Sequence, residues 1–165
     1  MKKIIQEYPK YPKISILDLG CGKDSPIKDI SHKYSLGIDL YEPYLKESKK
    51  KRLHTHYLKQ DIRKIKIKEL LEKNKGKKYD IVLLLGVIEH LEKKEGKILL
   101  SKIERLGRLK IICTPNAFQQ QSEILEEETE LQKHRSSWKV EDFKKRGYDV
   151  SGVAGFKLLH FLKGY

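Results

Sequence analysis

Apolar and polar positions alternate in short blocks along this chain, and the blocks change period as they go. Ile14 to Leu19 (ISILDL) is a short apolar-rich run closed by Gly20. Tyr34 to Leu40 (YSLGIDL) and His54 to Lys59 (HTHYLK) read as a second and third strand. Tyr79 to Leu85 (YDIVLLL) is the most continuous apolar run, as expected for a strand buried on both faces in the middle of a parallel sheet. Leu109 to Cys113 (LKIIC) and Tyr148 to Val153 supply a fifth and a sixth.

Helical periods fall between these runs. Ser25 and Pro26 predict a capped start for a short helix to about Lys33. Pro43 opens another through KESKKKR, and Ile65 to Lys73 is an amphipathic turn or two. Ile88 to Leu106 places Leu91, Ile98, Leu99, Ile103 and Leu106 on one side, with Gly107 as a stop. Val140 to Arg146 is stopped by Gly147. Strands separated by helices imply right-handed crossovers. The expected fold class is α/β, Rossmann-like and doubly wound: a mostly parallel sheet of six or seven strands with helices on both faces. Such sheets bind ligands at the carboxyl ends of their strands. The tail GFKLLHFL reads as a strand or a short helix, so a C-terminal hairpin is expected to be shortened.

The 165 residues suit one domain over 1–165, with an N-terminal extension at 1–13 and an acidic variable insertion at 116–137. No apolar run approaches the ~20 residues of a membrane span. Two prolines interrupt the N-terminal MKKIIQEYPKYPK, so the expectation is a cytoplasmic protein without membrane contact. Cys21 and Cys113 are far apart and form neither a disulfide scaffold nor a zinc module. The net charge is +13, but lysine supplies 30 of the 36 basic residues. A lysine surface lacks the planar fork used for specific recognition of bases and phosphates. Solvated surface charge is the simpler reading, and a nucleic-acid footprint the alternative.

The chemistry concentrates in ILDLGCGKDSP. Gly20 and Gly22 fit the first half of a dinucleotide fingerprint, but Ser25 stands where its third glycine would be. Asp18 then ends the first strand, Asp39 the second, and Asp61 follows the third. An acid after the first strand suits an ammonium group, one after the second suits ribose hydroxyls, and one after the third suits an adenine amino group. A diphosphate would want basic groups at these places.

At these residues the sequence resembles the class I S-adenosylmethionine-dependent methyltransferases. DLGCG is similar to their first motif, GIDL to their second, QDI to their adenine-side acid, LLLGVIEHLE to their fourth-strand segment and ICTPN to their fifth-strand end. The resemblance spans roughly Ile14 to Gly155. It implies a cofactor site made by Asp18, Gly20, Cys21, Gly22, Asp39, Leu40, Asp61, Ile62, Leu85 and Gly86, holding S-adenosylmethionine and, after transfer, S-adenosylhomocysteine. It also implies that Glu89 and His90 face the acceptor, with His90 the candidate general base. Each has a plainer reading: Asp18 and Asp39 as turn caps, Asp61 as a helix cap, His90 as a residue that orders its loop, Cys21 as a small loop residue.

The expected acceptor is a small molecule, with RNA second. The position after the fourth strand reads LGVI, without the [DN]PP[YF] of amino-directed nucleic-acid enzymes or the Pro-Cys of carbon-5 pyrimidine enzymes. His134, Arg135 and Trp138 are candidates for the acceptor side, Trp138 also for a hydrophobic staple. His54 and His56 sit two residues apart but lack a third ligand, so no metal is expected. An apolar tail can pair with a second copy or a partner subunit. The competing readings are a cofactor-binding subunit without catalysis of its own and a nicotinamide dehydrogenase.

Overall fold

A computed structural model describes residues 14–115, 129–153 and 156–163. The N-terminal extension and most of the acidic insertion lie outside the described residues. Seven strands form one sheet: β1 (Ser15–Leu19), β2 (Tyr34–Asp39), β3 (His56–Lys59), β4 (Tyr79–Leu85), β5 (Gly107–Pro115), β6 (Asp149–Val153) and β7 (Phe156–Lys163). Their order is β3-β2-β1-β4-β5-β7-β6. The first five strands run parallel, and β7 lies antiparallel between β5 and β6. The expected seventh strand is therefore present, with eight residues.

Alternation within the sheet builds two apolar layers. Leu17, Leu36, Val82 and Leu84 face one way, with Ile103 and Leu106 of the helix Lys93–Leu106 packed over them. Ile16, Ile81, Leu83 and Ile111 face the other, under Ile27, Ile30 and Leu53. The apolar run Ile81–Leu84 of β4 is thus covered on both sides. The helices are α1 (Glu42–Lys50), α2 (Ile67–Lys73), α3 (Lys93–Leu106), α4 (Thr129–Gln132) and α5 (Val140–Lys144).

Several expected elements are shorter. The segment after Ser25 is one 3-10 turn, Pro26–Asp29, because Ile30 turns extended (φ −113°, ψ 119°). The helix expected from Ile88 is broken: a 3-10 turn, Ile88–His90, precedes α3. The break follows from the Glu95 carboxylate, which accepts the Glu92 N–H at 3.2 Å and starts a new helix there. Ile98, placed on the buried side by periodicity, is exposed; Leu100 takes its place in the core. β3 begins two residues later than expected, which separates His54 from His56. His54 is buried beneath the sheet's carboxyl edge, whereas His56 is exposed and stacks near Tyr34.

Candidate active site

The switch in strand order lies between β1 and β4, and the loops that leave these strands open a cavity there. Its volume is about 570 Å³, within the ~300–1,000 Å³ of ligand sites. Asp18, Gly20, Cys21, Gly22, Asp39, Leu40, Asp61, Ile62, Leu85, Gly86 and His90 all line it. Residues spread over 73 positions of sequence thus share one wall because four parallel strands end together.

The loop after β1 is held by its backbone and by Asp18. Gly20 and Cys21 both donate their N–H to the Ile38 carbonyl, at 2.7 and 3.0 Å. Gly20 has φ +69°, and a Cβ there would meet the Val87 methyls at 2.5 Å, so a side chain is excluded twice over. Gly22 has φ +56° and, among the described residues, nothing within 4 Å of its missing Cβ, so backbone there can be approached by a ligand. Asp18 is 2% exposed. Its Oδ2 accepts Ser25 Oγ–H at 2.6 Å and His54 Nε2–H at 2.9 Å. The residue that departs from the dinucleotide fingerprint therefore ties the turn to the strand-end acid. Among the described residues His54 Nδ1 has no hydrogen-bond partner, and the Asp18 carboxylate draws the ring's donor to Nε2. Sequence reading missed His54 in this role, because its only signal was proximity to a strand.

Asp39 accepts the Gly22 N–H through Oδ2 and the Tyr41 N–H through Oδ1, both at 2.8 Å. The two backbone donors fix the carboxylate plane while each oxygen keeps a further acceptor site. Asp61 caps the turn Ile62–Lys64, accepting the Arg63 N–H at 2.9 Å. It also pairs with the Arg63 guanidinium at 2.7 Å, which holds its carboxyl below the usual range. The cap reading of Asp61 is thus realised at a residue that also faces the cavity.

Burial and the neighbouring Asp18 and Asp39 push the Cys21 thiol far up, which removes it as a nucleophile. Cys113 is raised to about 11 by burial and by Glu89. Glu89 is corrected in position. It is 5% exposed, lies behind the cavity wall, and accepts the Thr114 hydroxyl at 3.0 Å. Burial raises its carboxyl to about 7. His90 does face the cavity; burial lowers its pKa, and its Nδ1 sits 3.4 Å from the Lys133 carbonyl.

The far wall comes from α4 and the segment after it. Leu131, Gln132 and Arg135 line the cavity, with Arg135 paired to Glu130 at 2.9 Å. Arg135 and Ser136 donate their N–H groups to the Glu89 carbonyl at 2.8 and 3.1 Å, fastening this segment to the end of β4. Trp138 does not reach the cavity. It is buried against Phe143, ring centroids 5.4 Å apart, and donates to Ser136 Oγ at 2.9 Å. Trp138 precedes the cap of α5 and Phe143 is its fourth residue, the geometry of a hydrophobic staple. Tyr41, Tyr44 and Arg63 also line the cavity and were not foreseen; nothing in their spacing marks them.

Comparison with known proteins agrees with this architecture. The family model described as a methyltransferase domain matches residues 17–109. The fold is similar to magnesium protoporphyrin IX methyltransferase from Synechocystis, solved with bound S-adenosylmethionine: TM-score 0.66, 16% identity, 98% of this chain and 76% of that one. It is similar to a TehB-like S-adenosylmethionine-dependent methyltransferase from Corynebacterium glutamicum, with TM-score 0.66, 16% identity, and 98% and 85% covered. A small RNA methyltransferase, HEN1, gives TM-score 0.67 and 19% identity over 99% of this chain and 24% of that one. No curated protein matches the sequence. With the family model spanning more than half of the chain, and the strand order, glycine loop and strand-end acids in place, this chain belongs to the methyltransferase domain family.

Proposed function

We propose that this protein transfers a methyl group from S-adenosylmethionine to a small-molecule acceptor. S-adenosylmethionine, when bound, supplies a methyl group already activated on a sulfonium. The residues present fit it. Gly22 leaves backbone open to a ligand, Asp39 is held with two free acceptor positions, and Asp18 and Asp61 border the same cavity. In this reading Asp39 holds the ribose, Asp61 and Ile62 meet the adenine edge, and Asp18, Gly20 and Gly86 surround the amino-acid end. The chain's remaining task is alignment in a dry pocket. His90, whose pKa burial lowers, is placed to take a proton from an acceptor that must lose one.

The charge of the lining carries the choice of acceptor. In a protein of net charge +13, the cavity is bordered by Glu92, Glu95 and Glu130, and its two arginines are both engaged by carboxylates. A polyanion entering here would meet acidic groups, whereas a compact neutral or cationic acceptor would not. The second reading, RNA, is favoured by the overall basic charge and by the similarity to a small RNA methyltransferase.

The test supplies methyl-labelled S-adenosylmethionine to the protein with a small-molecule extract or with total RNA. Label in a nuclease-resistant product of low mass supports the proposal. Label in RNA, lost steeply as salt rises, overturns it in favour of the second reading.

A further inference from the structure

Glu89 presents a problem that the cofactor site does not solve. It is a carboxylate at 5% exposure, its one side-chain donor is the Thr114 hydroxyl, and among the described residues no lysine or arginine pairs with it. Buried charges of this kind are paired or coordinate metals. Two imidazoles converge on this carboxylate. Glu89, His90 and His134 each bring a ligand atom within 4.8 Å of the others, and the two histidine rings have centroids 5.1 Å apart.

We infer that Glu89, His90 and His134 form a site for one divalent first-row transition ion at the acceptor end of the cavity. Two imidazoles and a carboxylate are the donor set such ions take, at about 2.0–2.2 Å each. The ligand atoms lie within 4.8 Å of one another and need to close to about 3.4 Å around a tetrahedral ion. The surroundings are built for it. The Thr114 hydroxyl orients one oxygen of Glu89, and the Lys133 carbonyl lies beside His90 Nδ1, leaving Nε2 to ligate. The N–H groups of Arg135 and Ser136 on the Glu89 carbonyl hold His134, 45 positions after Glu89 in sequence, against the turn Ile88–His90. Three protein ligands leave coordination positions open, and His90 brings the site to the cavity wall. An acceptor with a hydroxyl or similar oxygen is the class that would fill them, and with the ion bound its Lewis acidity, in place of His90, would promote loss of that hydroxyl's proton. That role rests on the methyl-transfer reading; the ion's binding does not.

The experiment titrates tag-free, metal-stripped full chain with Co²⁺, read by visible absorption, and with Zn²⁺ by competition. One equivalent of Co²⁺ with ligand-field bands, displaced by Zn²⁺, is expected. His134→Ala and His134→Gln should each weaken binding by about tenfold or more. Both should keep wild-type affinity for S-adenosylhomocysteine, which shows that they fold. His56→Ala should bind the ion normally. Absence of saturable one-site binding overturns the inference, as does binding that both His134 variants leave intact. Metal binding by a protein that binds no S-adenosylhomocysteine would sustain this site and overturn the proposed function instead.

Discussion

Replacing Glu89 with glutamine should change how stability depends on pH. Burial is the largest influence on this carboxyl and raises it from 4.5 to about 7; its own N–H and the Thr114 hydroxyl act weakly in the other direction. The titratable groups facing it among the described residues are Cys113 behind it on β5, and His90 and His134 on the cavity side. A folded-state pKa above the unfolded value means that the folded protein binds more protons between the two. Stability is then greatest at low pH and falls as pH rises from 4.5 to about 7. At 1.36 kcal/mol per pKa unit, the integrated loss between pH 5 and pH 8 is about 2–3 kcal/mol. Glutamine has no proton to lose, so Glu89→Gln should remove this loss and still accept the Thr114 hydroxyl. The assay is urea unfolding of both proteins at pH 5, 6, 7 and 8 in chelator. The stability of the variant minus that of the wild type should rise by about 2–3 kcal/mol across the range. A difference that stays flat would refute the placement of Glu89 as an unpaired buried carboxylate.

Gly96 lies under the Trp138 ring, and a methyl there would run into it. Gly96→Ala should destabilise by about 1–3 kcal/mol in urea unfolding. His54→Ala should cost about 1–3 kcal/mol in thermal or urea unfolding, because the buried Asp18 carboxylate loses one of its two donors. Cys21, with its thiol pushed far up by burial and two neighbouring acids, should remain unmodified by iodoacetamide at pH 8 in native protein and react after unfolding, as read by mass spectrometry.

The parts of the site visible in sequence are those set locally. DLGCG places an acid and two glycines at a strand end, and the sheet then has little freedom over where that loop lies. Asp39 and Asp61 are readable for the same reason, one ending a strand and the other following one. Periodicity misled where a polar group intervened: the apolar spacing runs on through Leu91, but Glu92 and Glu95 cap a new helix there. His54 and His56 looked like a pair because β3 was drawn two residues too long. Glu89, His90 and His134 were each read as facing the acceptor, but their convergence was not, because His134 lies 44 positions after His90 and two backbone N–H groups on the Glu89 carbonyl bring them together. Hydrogen bonds of that kind leave no mark in composition or spacing.

Calorimetric titration with S-adenosylmethionine, S-adenosylhomocysteine and NAD, on wild type and Asp39→Ala, tests the central claim most directly. The account predicts one site for the first two, none for NAD, and at least about tenfold weaker binding to Asp39→Ala, since charge-assisted hydrogen bonds contribute about 1.5–3 kcal/mol each. Binding of NAD alone, or S-adenosylmethionine binding that Asp39→Ala leaves unchanged, would contradict it.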